Sequence, residues 1–201
     1  MRRLLIALAT LFISSPVYAE EFPWRGAEIQ IMIAGELPVI QDALSLNAHA
    51  VYFSVPGNDV HLYFMYVGVK WMVTDWFWVK PMLGYVGNWS GGDSFDISFW
   101  TGSSLFGGNI TFGSESDILI NGEGEVNYYA YYTGDLHLFR VLNIGLQMEQ
   151  VNMGFMFGPH IGVTKPIANG EIVLAGEIQY YLGFQDVNRG HTIRTAIGLE
   201  F

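Results

Sequence analysis

The segment His191-Thr192-Ile193-Arg194-Thr195-Ala196-Ile197-Gly198-Leu199-Glu200-Phe201 alternates along its length. Ile193, Ile197, Leu199 and Phe201 fall on one side, where from Ile193 onward Thr195 is the only polar member. Thr192, Arg194, Ala196, Gly198 and Glu200 fall on the other. A period of two is the signature of a β-strand, because successive side chains point to opposite faces of the sheet.

The same pattern runs backwards through the chain. Ile172, Leu174, Ile178, Tyr180, Leu182 and Phe184 oppose Glu171, Glu177, Gln179 and Tyr181. In 77–89, an outward set of Phe77, Val79, Leu83, Tyr85 and Trp89 opposes Lys80, Gly84 and Asn88. In 125–137, Val126, Tyr128, Tyr132 and Leu136 oppose Glu125, Asn127, Thr133, Asp135 and His137. Turn signals punctuate these runs: Pro56-Gly57-Asn58-Asp59, Thr74-Asp75, Ser90-Gly91-Gly92-Asp93, Gly107-Gly108-Asn109 and Asn121-Gly122-Glu123-Gly124, then 166–170 and 185–190. Their Asn-Gly, Gly-Asn and Gly-Gly pairs supply the positive φ that hairpins need.

The pattern predicts strands over 44–55, 59–73, 77–89, 94–106, 109–120, 124–138, 141–151, 154–165, 171–184 and 190–201. Each is long enough to cross a bilayer, which takes roughly 9–11 residues of tilted strand. Residues 27–37 alternate in part, with Ile29, Ile31 and Ile33 against Glu28, Gln30 and Met32. Pro38 and a phase change before Leu44 mark a break there. An eleventh strand conflicts with the even count of a bacterial barrel whose ends share one side. The expected fold is therefore all-β, an antiparallel transmembrane barrel of ten strands over 44–201. Eight or twelve are the alternatives, and 20–43 is an N-terminal lead segment.

Composition agrees with a lipid-facing barrel. Charged residues are 14% of the chain, against about 25% in ordinary soluble domains. Aromatics reach 15% and there are 24 glycines. No stretch beyond the N-terminus carries the roughly 18 consecutive apolar residues of a membrane helix. Trp71, Trp76 and Phe77 flank one turn, and Trp89 and Phe95 the next, as interfacial aromatic girdles do. The same alternation would serve a soluble β-sandwich or lipocalin-like barrel with the two faces exchanged. Low charge, aromatic strand ends and the N-terminus favour the membrane version.

At that N-terminus, Arg2 and Arg3 precede an apolar run from Leu4 to Ile13, and Val17-Tyr18-Ala19 supplies small residues before Glu20. These are the parts of a secretory signal over 1–19. Without those residues the chain keeps seven basic and nineteen acidic residues, a formal charge of −12. Such a balance argues against a nucleic-acid partner and against a polybasic contact with anionic lipid. The absence of cysteine excludes disulfide staples, thiol catalysis and Cys-anchored lipidation.

The terminal strand, with Ile193, Ile197 and Leu199 leading to a C-terminal Phe201, resembles that of Gram-negative outer-membrane β-barrel proteins. The resemblance implies a place in the bacterial outer membrane, among its lipid and lipopolysaccharide. It also implies recognition of this strand by the barrel assembly machinery.

Motifs for chemistry are sparse. The residues two positions after the five histidines are Val51, Tyr63, Phe139, Gly162 and Ile193, so the His-x-Ser pairing of outer-membrane lipid A deacylases is missing. Thr101-Gly102-Ser103-Ser104-Leu105 is not a nucleophile elbow, and neither a phosphate loop nor His-Glu-x-x-His occurs. His160 and Glu177 would face each other inward across a turn centred on Ala168-Asn169. One His and one Glu make neither a triad nor a closed metal site, so a satisfied polar contact is expected. His49 and His137 are inward on other strands. Lys70 and Lys80 would meet across Thr74-Asp75, with Glu200 a candidate partner. No catalytic, cofactor-binding or metal-binding residue is assigned.

Alternation places Asp96, Glu115, Asp117, Glu125, Asp135, Glu149, Glu177 and Glu200 inward, against Lys70, Lys80 and Arg194, a lumen negative by five. Inward Tyr129, Tyr131, Tyr181 and Trp100 would narrow it. The expected function is structural or that of a narrow cation-preferring channel. A lipid-modifying enzyme and a surface receptor or adhesin are the alternatives, the last disfavoured by the short turns. N-terminal sequencing of the membrane-bound protein should begin at Glu20; retention of residues 1–19 would overturn the exported-barrel expectation.

Overall fold

The computed structural model describes residues 24–55, 60–88, 92–139, 141–152, 154–167, 170–183 and 190–200. Every long element among them is a strand. They are β1 (Trp24–Ile40), β2 (Leu44–Val55), β3 (Val60–Thr74), β4 (Phe77–Asn88), β5 (Asp93–Leu105), β6 (Ile110–Asn121), β7 (Val126–Leu138), β8 (Leu142–Val151), β9 (Gly154–Ile167), β10 (Gly170–Gly183) and β11 (Gly190–Glu200). The ten strands expected from residue 44 onward are β2 to β11, each end within two residues of its expected place.

The N-terminal expectation needs correction. Residues 27–37 are neither a lead segment nor outside the wall, because they form most of β1. That strand runs through Pro38, where the register with β2 shifts, and ends at the turn before Leu44. Proline lacks an N–H to donate, so a shift in the ladder at that point is its expected cost. Neighbours in sequence pair antiparallel, and β1 closes the sheet by pairing parallel with β11. The parallel seam follows from the odd number. In an up-and-down sheet of eleven strands the first and last run the same way.

Closure leaves two mouths. The upper one carries the start of β1, and its strand connections span 56–59, 89–92, 122–125, 152–153 and 184–189. The lower one carries the end of β11 and the connections 41–43, 75–76, 106–109, 139–141 and 168–169.

Burial is inverted relative to a soluble protein. Asp96 is 0% exposed and Glu149 4%, while Val67 is 64% and Leu146 69% exposed. The alternation β2 shows is typical, with Ser45, Asn47, His49 and Val51 buried and the residues between them outside. Ile29, Ile31, Ile33, Met65, Leu83, Ile97, Phe99 and Ile197 all sit on the outer face. Glu125 departs from its inward expectation. It is exposed at the turn before β7, where Asn121 Nδ2 donates to it at 3.0 Å.

Gly68 is set by close approach. A Cβ added there would overlap the Pro81 carbonyl oxygen and lie 2.8 Å from Met82 Cα, on the facing strand. Gly35 has open space around the same position. Gly68→Ala should therefore cost roughly 1–3 kcal/mol, the usual penalty of overpacking. Gly35→Ala should leave stability nearly unchanged. Urea unfolding midpoints of the two variants check the contrast.

Candidate functional site

The interior of the barrel holds the polar chemistry, in three levels along its axis. Sequence alternation predicts an acidic lumen narrowed by inward aromatic side chains. Within it the upper third is largely apolar, the middle is an ionic belt, and the lower third carries lysine, histidine and hydroxyl groups.

The belt is built around Arg194 on β11. Its Nε donates to Glu28 Oε2 at 2.8 Å, and its Nη2 lies 2.8 Å from both Glu28 Oε2 and Glu149 Oε2. Glu28 is directly opposite Arg194 across the β1–β11 seam, while Glu149 reaches it from β8. Charge-assisted bonds of this length are the strong kind. The belt continues on the far wall. Tyr66 Oη donates to Asp96 Oδ2 at 3.0 Å, Ser98 Oγ donates to Asp117, and Glu115 lies two residues from Asp117 on the same inner face of β6. Tyr66 packs edge-on against Trp100 at 5.8 Å between ring centroids.

Below the belt, Lys80 Nζ lies 3.2 Å from His49 Nε2, 5.3 Å from the centre of the Trp100 ring and 5.2 Å from that of Trp78. Rings within about 6 Å attract an ammonium through their quadrupole. Lys70 binds Glu36 Oε2 at 2.9 Å, and Ser45 Oγ donates to Glu36 Oε1 at 2.6 Å. His160 Nδ1 lies 3.6 Å from Asp135 Oδ1, and Thr111 Oγ1 lies 2.7 Å from His137 Nε2.

Above the belt is a cavity of about 550 Å³, whose walls include Val51, Phe53, Leu62, Phe64, Leu119 and Met156. Belt residues form its inner end: Glu28, Glu115, Asp117, Glu149, Arg194, Tyr66 and Trp100.

The inward expectations divide accordingly. Arg194, Glu149, Lys80, Asp96 and Asp117 are buried within the bore. Lys70 and Lys80 do flank one face of Trp78, but the partner of Lys70 is Glu36 and not the expected Glu200. His160 and Glu177 are register partners as expected, yet the acid that His160 meets is Asp135. The side chains of Glu177, Glu200 and Tyr181 lie outside the described residues, as do Phe201 and residues 1–23. Sequence reading passed over Glu28 and Glu36. Both belonged to β1, whose polar face was visible once Ile29, Ile31 and Ile33 were assigned outward. Among the described residues, no group of three His, Asp or Glu is arranged to hold a metal ion.

Removing Arg194 takes the guanidinium away from two buried carboxylates. Breaking a buried ionic network from one side typically costs about 3–5 kcal/mol, so Arg194→Met should lose about that much. The triple replacement Arg194→Met, Glu28→Gln, Glu149→Gln should recover a large part, because no charge is left unpaired. Equilibrium unfolding of the single and triple variants measures the difference. An equal loss in both would show that packing, not charge pairing, is the contribution of Arg194.

No family model matches the chain, and no curated protein or solved structure similar to it was found.

Proposed function

We propose that this chain is a β-barrel of the bacterial outer membrane, structural or a narrow cation-preferring channel. One observation carries the reading: the outer face of the closed sheet is apolar on strand after strand, while Glu28, Lys80, Asp96, Asp117, Glu149 and Arg194 are buried inside. In water, such a surface would be a large exposed hydrophobic patch of the kind soluble monomers avoid. In lipid it is the favoured arrangement, since a closed wall pairs its backbone groups within itself and turns a largely apolar face to the acyl chains.

Further features support it. The lower mouth is ringed by exposed Trp71, Trp76, Phe106 and Phe139, in the manner of an interfacial girdle. On average the connections are longer at the upper mouth than at the lower one, which favours an upper mouth that faces outward and a lower one that faces the periplasm. Lumenal Glu28, Glu36, Asp96, Glu115, Asp117, Asp135 and Glu149 outnumber Lys70, Lys80 and Arg194 among the described residues. An acidic bore in a low-dielectric wall concentrates cations. The belt narrows the bore, which argues for small conductance. The enzyme and receptor alternatives gain no observation in their favour among the described residues.

Cell fractionation should recover the protein in the outer membrane with heat-modifiable migration on a gel. Recovery in the soluble fraction would overturn the reading. Val67→Arg, at the middle of β3, should cost about 2–4 kcal/mol if the bilayer midplane lies there, and the lumen-facing Ala196→Ser should be mild. In planar bilayers, any current should reverse on the cation side across a salt gradient and lose selectivity as salt rises. Clear anion selectivity would overturn the acidic-bore assignment.

A further inference from the structure

The membrane reading accounts for the apolar outer face and for a polar lumen, but not for an apolar lumen. Lipid never touches Phe53, Leu62, Phe64 or Leu119, which line the upper cavity from inside. Such walls solvate no ion. They suit a ligand site. Small-molecule sites are cavities of roughly 300–1,000 Å³ with mostly apolar walls and a few polar groups that orient the guest, and this one measures about 550 Å³.

The inner end decides what the polar part of a guest must be. Glu115 and Asp117, two residues apart on β6, both line it there. Glu28 and Glu149 stand beside them, and the one base there, Arg194, is already engaged by both of these glutamates. An anionic head would be set against four acids with no uncommitted cation to receive it. An ammonium is the opposite case, since it brings up to three donors and no acceptor. It would meet the carboxyl oxygens of Glu115 and Asp117 and leave the Arg194 pairs untouched.

We propose that the upper cavity binds an amphiphilic amine, its apolar chain along the Phe53–Phe64–Leu119 wall and its ammonium head at Glu115 and Asp117. The inference rests on the membrane reading only for the side of access, which is the outer one.

The test uses the full-length protein in phosphatidylcholine nanodiscs, titrated calorimetrically with n-octylammonium, octanol and octanoate against empty nanodiscs. Octylammonium should bind at least tenfold more tightly than octanol, and octanoate should show no protein-dependent binding. Glu115→Gln should weaken octylammonium at least tenfold while leaving octanol unchanged. Leu119→Trp, which fills the cavity, should weaken both. Heat-modifiable migration verifies that each variant is folded. A photoreactive octylamine supplies a readout on the unaltered chain, and its label should map to the Leu62–Phe64 and Leu119 peptides. Octanoate binding as tightly as octylammonium, or label confined to the outer face, would overturn the proposal. Membrane retention without octylammonium binding would overturn the cavity site alone. Binding by a protein that fractionates as soluble would overturn the location alone.

Discussion

The parallel seam between β1 and β11, pinned by the Glu28–Arg194 ion pair, is the constraint on which the remaining structure depends. An open curled sheet would leave two rows of unpaired N–H and C=O groups. In water such edges invite aggregation, and in lipid each unsatisfied group costs several kcal/mol. Parallel ladders are slightly weaker per residue than antiparallel ones, so the one parallel pair in the wall is its weakest ladder. There the sequence places Glu28 and Arg194 directly opposite each other. A slip of one residue would move every side chain of β11 to the other face. Arg194 would point into the outer apolar surface and Ile193 into the bore. Register along the seam is therefore specified twice, by hydrophobic alternation and by a buried charge that meets its acids only in this register.

The belt extends this constraint across the lumen. Glu149 approaches Arg194 from β8, three strands away around the wall, and Tyr66 reaches Asp96 from β3 over the intervening β4. These contacts join walls that the backbone ladder does not connect. Buried ions are poor sources of net stability but costly to leave unpaired, so such a belt acts mainly by excluding other arrangements of the barrel. It also fixes the geometry of whatever lies on either side of it.

Much of this was legible in the sequence. Period-two alternation located ten of the strands closely, because a one-residue error flips a face and the hydrophobic pattern shows it. Lys80, Glu149 and Arg194 were assigned inward by the same parity. Residues 27–37 were harder. Their apolar stripe of Ile29, Ile31 and Ile33 was evident, but a rule favouring even strand counts outweighed it, and with β1 went Glu28 and Glu36. Alternation also averages over a whole strand. It assigns Val51 and His49 to one face without showing that one lies above the belt and the other below it. Axial position depends on stagger between strands, which is set by pairings far apart in the chain. For the same reason the partner of His160 could be guessed only on the adjacent strand β10. Asp135, two strands away in the other direction, became visible only with the closed wall.

The axial gradient separates attracting a cation from passing one. On the proposed channel reading, a cation entering at the upper mouth would first meet apolar walls, which give it no solvation. It would then meet the acids of the belt, which attract it. Beyond them stands Lys80, held between the faces of Trp78 and Trp100, with Lys70 below it tied to Glu36. A fixed ammonium on the lower side of the belt repels the very ion that the acids attract, and does so in a low-dielectric wall where such terms are weakly screened. Net charge alone predicts cation preference. The order of charges along the axis predicts that a cation is held at the belt more readily than it is conducted through it. An apolar collar above the belt strengthens that tendency, because it favours a cation that carries its own apolar body over a small hydrated one.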